Sequence, residues 1–264
     1  MSFKRTYLIF KVLFKFRIRI MKTFKLDSIL AMASNIILLL GSILFWLLIS
    51  ESGFDLKGWS YSDILVFISF SEMFYGFEQN VFASASEFWR VIYMGVLDVQ
   101  IMRPFDVRLR FLLMNVDYLG LFLSFIKVGI IILVSGSRLS LGKILLAISF
   151  IFMACYVLML IRFMVSYLAF KYGKTEVVTQ LCDSITKFNK YPLVIFPVVI
   201  RIIMTVALPF YFFSTFPAEY VLGKVTGVNI LYMLCALLGN MVLWTVLNNL
   251  AWRRGRINYE SLNG

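Results

Sequence analysis

The sequence predicts an all-α membrane protein, and its composition, its apolar runs and the placement of its basic residues support this fold class. Of the 264 residues, 61% are hydrophobic, and the mean hydropathy is +0.88. An ordinary soluble domain is closer to half apolar. The net charge is +12, and the basic residues flank the apolar runs. This pattern favours the positive-inside rule of membrane proteins over binding to nucleic acid.

Six apolar runs are long enough to cross a bilayer as helices of about twenty residues. They are 28–50, 64–82, 111–134, 144–170, 193–215 and 229–251. The second run is the weakest because Glu72, Glu78 and Asn80 interrupt it. The fifth contains Pro197 and Pro209, and we expect these prolines to kink the helix because each removes a backbone hydrogen bond.

The connectors between these runs predict the orientation. Segments 1–27, 83–110, 171–192 and 252–264 hold eight, four, four and three basic residues. The connectors on the opposite side hold only four, Lys57, Arg138, Lys143 and Lys224. The bias places the basic segments in the cytoplasm. Six spans then leave both ends of the chain on the cytoplasmic side, so the count and the charge agree.

We expect one transmembrane domain over residues 1–264, with a surface helix at 1–27, a six-span bundle at 28–251 and a cytoplasmic tail at 252–264. At 100° per residue, five basic side chains fall within an arc of about 80°, namely Lys4, Lys11, Lys15, Arg19 and Lys22, and Tyr7, Phe10, Phe14 and Ile18 mostly fall away from it. Such a helix lies along the inner leaflet and contacts anionic lipid. The connector 171–192 also shows helical spacing of apolar residues.

Six charged side chains lie within the predicted spans, namely Glu72, Glu78, Asp117, Lys127, Arg162 and Arg201. Ionisable groups inside a bilayer are costly, and they usually face a partner or a water-filled cavity. Two interpretations therefore stay open. The charges pair with one another, or they line a transport path together with Pro197 and Pro209. Lys127, near the outer end of its span, is also able to snorkel to the surface.

The sequence contains no histidine and none of the common catalytic motifs. The chain has no histidine, which excludes His-based catalysis and His metal sites. Its three cysteines, Cys155, Cys182 and Cys235, do not suggest a disulfide framework. The sequence contains no P-loop pattern, and no H-E-x-x-H, C-x-x-C or G-x-S-x-G. We expect no catalytic residue, metal or cofactor on this chain.

Short motifs follow one another in a characteristic order along the six-span frame. The first cytoplasmic connector contains Gly95-Val96-Leu97-Asp98 and then Arg103-Pro104. The fifth span and its flanks contain Tyr191-Pro192, Ile195-Phe196-Pro197, Arg201, Leu208-Pro209 and Phe216-Pro217-Ala218. The tail contains Trp252-Arg253-Arg254-Gly255-Arg256 and Tyr259-Glu260-Ser261. In this order the chain resembles a permease of the type-two (ABC-2) family of ATP-binding-cassette exporters, and the resemblance covers nearly the whole chain.

The resemblance implies a half-channel in the cytoplasmic membrane of a bacterium. It would pair with a second permease, identical or different, and with separate cytoplasmic ATPase subunits that bind ATP and Mg²⁺. The family's coupling helix maps to about 84–104, and its docking residues would be Glu87, Arg90, Asp98, Arg103 and Pro104. The family's outer re-entrant element maps to about 216–228 and includes Phe216, Pro217 and Ala218. The fifth span would face the substrate, which the resemblance does not identify.

Two other function classes stay open. The first is a membrane subunit that does not transport, such as a sensor or an immunity factor. The second is a secondary transporter that uses Glu72, Glu78 or Asp117 as a proton or ion site. Secondary transporters often contain paired repeats, and the sequence shows none. Membrane lipid is an expected partner, and nucleic acid is not.

Overall fold

The structure is a computed structural model. It describes residues 11, 12, 15, 16, 18, 19, 23, 25–53, 58–102, 105–137, 139–206, 208–225, 227–257 and 259. These residues are almost all helical and include no β-strand, so the predicted all-α class is confirmed. The predicted surface helix at 1–27 lies mostly outside the described residues. Arg103, Pro104 and most of the tail at 258–264 also lie outside them.

The α-helices of the described part follow one another in chain order. They are α1 (Lys25–Glu51), α2 (Tyr61–Phe77), α3 (Phe88–Tyr93), α4 (Val96–Ile101), α5 (Val107–Asn115), α6 (Tyr118–Val134), α7 (Leu141–Ser166), α8 (Ala169–Tyr172), α9 (Glu176–Thr186), α10 (Val198–Val206), α11 (Thr215–Val221) and α12 (Gly227–Ile257). A π-helix covers Glu78–Phe82, and 3₁₀ helices cover Ala83–Glu87, Lys187–Lys190, Leu193–Ile195 and Phe210–Phe212.

Three of these helices are long and apolar enough to cross a membrane. They are Ala33–Glu51 within α1, Leu141–Tyr172 through α7 and α8, and Gly227–Ile257, which is α12. Helices α5 and α6 reach the same length and hydropathy only as a pair, and the pair is bent by 64°. The described residues therefore contain three candidate spans, or four if the bent pair is one span, where the sequence predicted six.

Helix α2 lies at the centre of the bundle and corresponds to the weak second span. Its start is fixed by a capping box, in which Ser60 and Asp63 exchange side-chain and backbone hydrogen bonds. Its 17 residues are mostly buried, because α1, α6, α7 and α11 all pack against it. The helical path then continues through the π-helix, which begins at Glu78.

The bend between α5 and α6 has a local cause. Asp117 does not continue α5, and its carboxylate accepts hydrogen bonds from the backbone N–H groups of Leu119 and Gly120 at 3.1 and 3.2 Å. It therefore acts as the N-cap of α6. Its own N–H donates to the carbonyl oxygen of Asn80, at 2.8 Å, and this bond anchors the bend to the π-helix.

The predicted fifth span, 193–215, is not a continuous helix, and this corrects the sequence-based expectation. Its two ends meet, because the N–H of Leu193 donates to the hydroxyl of Thr215 at 3.0 Å. Between them, α10 begins directly after Pro197 and has only nine residues. A helix of that length spans about 13 Å, less than half of the hydrocarbon core. The segment is a hairpin, because its prolines interrupt the helical hydrogen bonding.

The core lies between α2, α7 and α11. Helix α11 packs against both of the others, and aromatic rings fill the space, such as Phe74 stacked on Phe213 with 4.2 Å between their centroids. Helix α12 packs along α7, and α6 packs along α2. Helices α1 and α12 leave most of their apolar side chains exposed. A bilayer is the solvent that such exposed faces require.

Candidate functional site

A cavity of about 590 Å³ lies between α1, α2 and α6, and it is partly open to the outside. Its apolar walls include Leu38, Leu39, Leu123, Ile126 and Ile130. Its polar lining comprises Asn35, Ser42, Ser71, Glu72, Gln79, Asn80, Asp117, Ser124, Lys127 and Lys190. An apolar cavity with convergent polar groups is the usual form of a ligand site.

The opposed walls of the cavity are held together by a close approach of α2 and α6 at Gly76. A Cβ atom on Gly76 would lie 2.5 Å from the Cβ of Ser124, so only glycine fits there. The side-chain amide of Asn80 donates to the carbonyl oxygen of Gly76 at 2.8 Å. The close approach of Gly76 to Ser124 sets the spacing of the two helices, and the Asn80 bond lies within the helical path of α2 and the π-helix.

The two charged residues in the middle of the cavity wall are Glu72 and Lys127. Their side chains form an ion pair with a 2.5 Å separation, and both are mostly buried. The sequence placed Lys127 near the outer end of its span, free to snorkel to the surface. In the structure it reaches across to Glu72 instead, since an unpaired charge would be costly at this depth.

Tyr75 and Lys190 also line the cavity. The hydroxyl of Tyr75 is buried and has no hydrogen-bond partner among the described residues. Lys190 lines the same cavity from the segment that follows α9. The lining holds two acidic residues, Glu72 and Asp117, and two basic residues, Lys127 and Lys190, so its formal charges cancel. The Asp117 carboxylate also caps α6.

Arg162 forms a separate network, on the other side of α2. Its Nη2 atom contacts the carboxylates of Glu78 and Asp183, the latter at 2.9 Å. Asp183 also accepts a hydrogen bond from the hydroxyl of Ser86 at 2.9 Å. The network joins α7, the π-helix, the start of the first connector and α9. One of the pairings predicted as an alternative, Arg162 with Glu78, is therefore present.

Arg201 lies in the hairpin, on α10, away from both groups of charges. It forms no ion pair with Glu72, Glu78 or Asp117. Glu72 pairs with Lys127, Glu78 pairs with Arg162, and the Asp117 carboxylate accepts hydrogen bonds at the N-terminus of α6. Its electrostatic neighbours are Tyr211 and Glu219, which are hydrogen-bonded to each other.

The remaining residues predicted for the fifth span and the outer element are distributed along the same segment. Pro197 precedes α10, and Pro209 precedes the 3₁₀ helix Phe210–Phe212. Phe216, Pro217 and Ala218 lie on α11 and are buried in the core between α2 and α7. Their predicted role at the outer surface stays a prediction.

Three of the predicted coupling residues, Glu87, Arg90 and Asp98, lie on the short helices that follow α2, and Arg103 and Pro104 lie outside the described residues. Glu87 and Arg90 form an exposed ion pair at 2.8 Å, and Arg90 also lies over the ring of Trp89. Asp98 lies on α4, close to the tail. Burial and the nearby Asp98 carboxylate raise the pKa of the Tyr259 hydroxyl. Helices α3 and α4 meet at Gly95, whose φ of +69° favours glycine.

Sequence reasoning missed several members of these sites. Asp183 and Ser86 carried no intramembrane signal because both lie in predicted connectors. Asn189 was also missed, and it accepts a hydrogen bond from the Ser214 hydroxyl at 2.6 Å. No group of residues suited to hold a metal ion occurs in the part of the chain that the structure describes.

Comparison with known families assigns the chain. A family model described as ABC-2 family transporter protein matches residues 36–263. The chain therefore belongs to the ABC-2 family of transporters and is a multi-pass membrane protein of that class. The resemblance seen in the sequence is confirmed. Searches of curated proteins and of solved structures give no significant match.

Proposed function

We propose that the chain is the transmembrane subunit of an ATP-driven exporter, and that it forms half of a pathway completed by a second permease subunit. Membership of the ABC-2 family supports this proposal. ATP and Mg²⁺ would bind to a separate ATPase subunit, which is consistent with the missing P-loop pattern. The subunit would reside in the cytoplasmic membrane of a bacterium.

We also propose six crossings with both ends of the chain in the cytoplasm. The unequal distribution of basic residues supports this topology. The fifth crossing would not need a long helix. Asp183 contacts Arg162 at one end of the bundle, and Lys224 contacts Asp63 at the other, at 2.9 Å. The chain between residues 183 and 224 therefore passes from one end to the other, even though the hairpin lies within it.

The observation that carries the coupling proposal is the exposed tip formed by α3 and α4. Three large apolar side chains there are strongly exposed, Met94, Val99 and Met102. The ion pair of Glu87 and Arg90 flanks them. An apolar centre with a charged rim is typical of a protein interface. The tip would be the surface that docks on the ATPase.

The Arg162 network would transmit motion from this tip into the bundle. The 3₁₀ helix Ala83–Glu87 leads directly into α3, and Ser86 on it is bonded to Asp183. The hydroxyl of Ser166, on α7, donates to the carbonyl oxygen of Ala85 at 2.8 Å. A displacement of the tip would therefore act on α7 and α9 together.

The test compares the same substitution at two exposed valines. Val99→Asp places a charge in the centre of the tip, and Val177→Asp places one on α9; these valines are 60% and 70% exposed. A tagged chain is purified from its native membrane, and the ATP hydrolysis that co-purifies is measured. The co-purifying ATPase is identified by mass spectrometry from its P-loop and signature sequences.

We expect Val99→Asp to remove most of the co-purifying ATPase activity, because a charge buried at an interface without a partner is costly. Val177→Asp should retain it. Equal loss in both variants would refute docking at the tip. If the wild-type chain brings down no ATPase, the chain is instead a membrane subunit that works without ATP.

The secondary-transporter alternative has less support. Glu72 and Glu78 are each paired with a basic residue, and Asp117 caps a helix. A proton or ion site needs a carboxylate that changes its state during transport. In the structure each of these carboxylates is already engaged by a partner, so none is left open for a transported ion.

A further inference from the structure

The cavity between α1, α2 and α6 presents one acid and one base to any ligand that enters it. Glu72 and Lys127 are paired with each other, and both line the cavity. Both side chains are mostly buried, so leaving either charge without a partner is costly. This requirement restricts the ligands that are able to engage the pair.

A ligand with a single charge would satisfy only half of the pair. A cation on Glu72 would separate Lys127 from its partner, and an anion on Lys127 would do the same to Glu72. Removing one partner of a buried pair is strongly destabilising, because it leaves a charge uncompensated. A zwitterion avoids this cost, since its ammonium and its anionic group replace both partners together.

The rest of the lining agrees with a zwitterionic ligand. The cavity has no net charge, with Asp117 and Lys190 adding one charge of each sign. The walls away from the pair are apolar, as Leu38, Leu123 and Ile130 show, and an apolar tail would pack there.

We propose that this cavity binds a zwitterionic amphiphile, with its ammonium on Glu72, its anionic group on Lys127 and its tail along the apolar walls. The proposal rests on the proposed function in one respect, since the bound amphiphile is then the class of substrate that the exporter carries. Binding itself needs no ATPase, so it is measured on the permease chain alone.

The experiment measures ligand-dependent thermal stabilisation of the purified full chain in dodecyl maltoside, a neutral detergent. The probes share a chain length and differ in charge: lysophosphatidylethanolamine, an alkyl phosphate and an alkyl trimethylammonium. Stabilisation at increasing probe concentration gives the apparent affinity. We expect wild-type protein to bind the zwitterion at least about tenfold more tightly than either probe that carries charge of only one sign.

Variants of the pair should change this selectivity in opposite directions. Glu72→Gln leaves Lys127 free and should favour the alkyl phosphate. Lys127→Gln leaves Glu72 free and should favour the alkyl trimethylammonium. The matched control is Asp63→Asn, which removes one partner of the Asp63–Lys224 ion pair outside the cavity lining. The control should lower stability without changing the order of the probes.

The double variant Glu72→Gln with Lys127→Gln keeps the test decisive if a single variant does not fold, because it leaves no charge unpaired. It should lose the preference for the zwitterion. The proposal is overturned if wild-type protein shows no such preference, or if the preference survives in the double variant. Comparing two-chain phosphatidylethanolamine with its one-chain form then decides the source. Tighter binding of the two-chain form indicates that the ligand is a membrane lipid. Tighter binding of the one-chain form indicates a smaller amphiphile.

The failures of the two proposals are distinguishable. If the probes bind without selectivity while Val99→Asp still removes the ATPase, only the ligand class is wrong. If the probes bind selectively and no ATPase co-purifies, the binding site stands and the ATP-driven mechanism falls.

Discussion

The buried charge network around Arg162 allows a quantitative prediction, because its two carboxylates differ in exposure. The Arg162 side chain is 2% exposed, that of Glu78 is 7% and that of Asp183 is 40%. Breaking a buried ion pair costs about 3–5 kcal/mol, whereas a pair that reaches solvent contributes about 0–1 kcal/mol. Glu78→Gln should therefore lower the free energy of unfolding far more than Asp183→Asn.

The assay is thermal unfolding of each variant in one detergent, with loss of tertiary structure as the signal. Asn at position 183 still accepts the hydrogen bond from Ser86, so that variant removes only the charge. Replacing Arg162 and Glu78 together by leucine should recover most of the loss, because no buried charge is then left unpaired and the remaining carboxylate, Asp183, is 40% exposed. If Asp183→Asn destabilises the protein as much as Glu78→Gln, the assignment of the buried pair is wrong.

Two further predictions concern helix packing and topology. Gly76→Ala should destabilise the protein by about 1–3 kcal/mol because its Cβ would overlap Ser124. The control Gly129→Ala, whose Cβ meets open space, should be neutral. Equal unfolding temperatures for the two variants would contradict this prediction. Single cysteines in a cysteine-free background test the topology at Gly53, Ser137, Gly227 and Gly264. The first three should react with an impermeant reagent in intact cells and the last should not, and the opposite result at any two sites would exclude the topology.

Hydropathy predicted the long helices well because it depends only on composition along the chain. Helices α1, α7 and α12 coincide with the predicted runs 28–50, 144–170 and 229–251 to within a few residues at most of their ends. Hydropathy failed at 193–215, where an apolar run is compatible with either a span or a hairpin. The choice depends on contacts between distant residues, such as Leu193 with Thr215. No local pattern contains that information.

The charged residues show where sequence reasoning reaches its limit. It identified the charged residues within the predicted spans and left open whether they pair or line a transport path. In the structure Glu72 and Lys127 pair and also line a cavity, and whether that cavity belongs to a transport path stays a prediction. Pairing across helices depends on how each helix is rotated and placed in depth. Those quantities follow from tertiary packing, as at Gly76, and not from the spacing of charges along the chain.

One part of this pairing does follow from the sequence. Glu72 and Glu78 are six residues apart, so on a regular helix their side chains point about 120° apart around the axis. They are therefore unable to share one partner on a single neighbouring helix. The structure agrees, since Glu72 faces α6 and Glu78 faces α7. The angle separates a carboxylate that lines the cavity from one that holds the connectors 83–110 and 171–192 to the bundle. The continuous helical path of α2 and the π-helix thereby contacts both the proposed substrate site and the proposed coupling network.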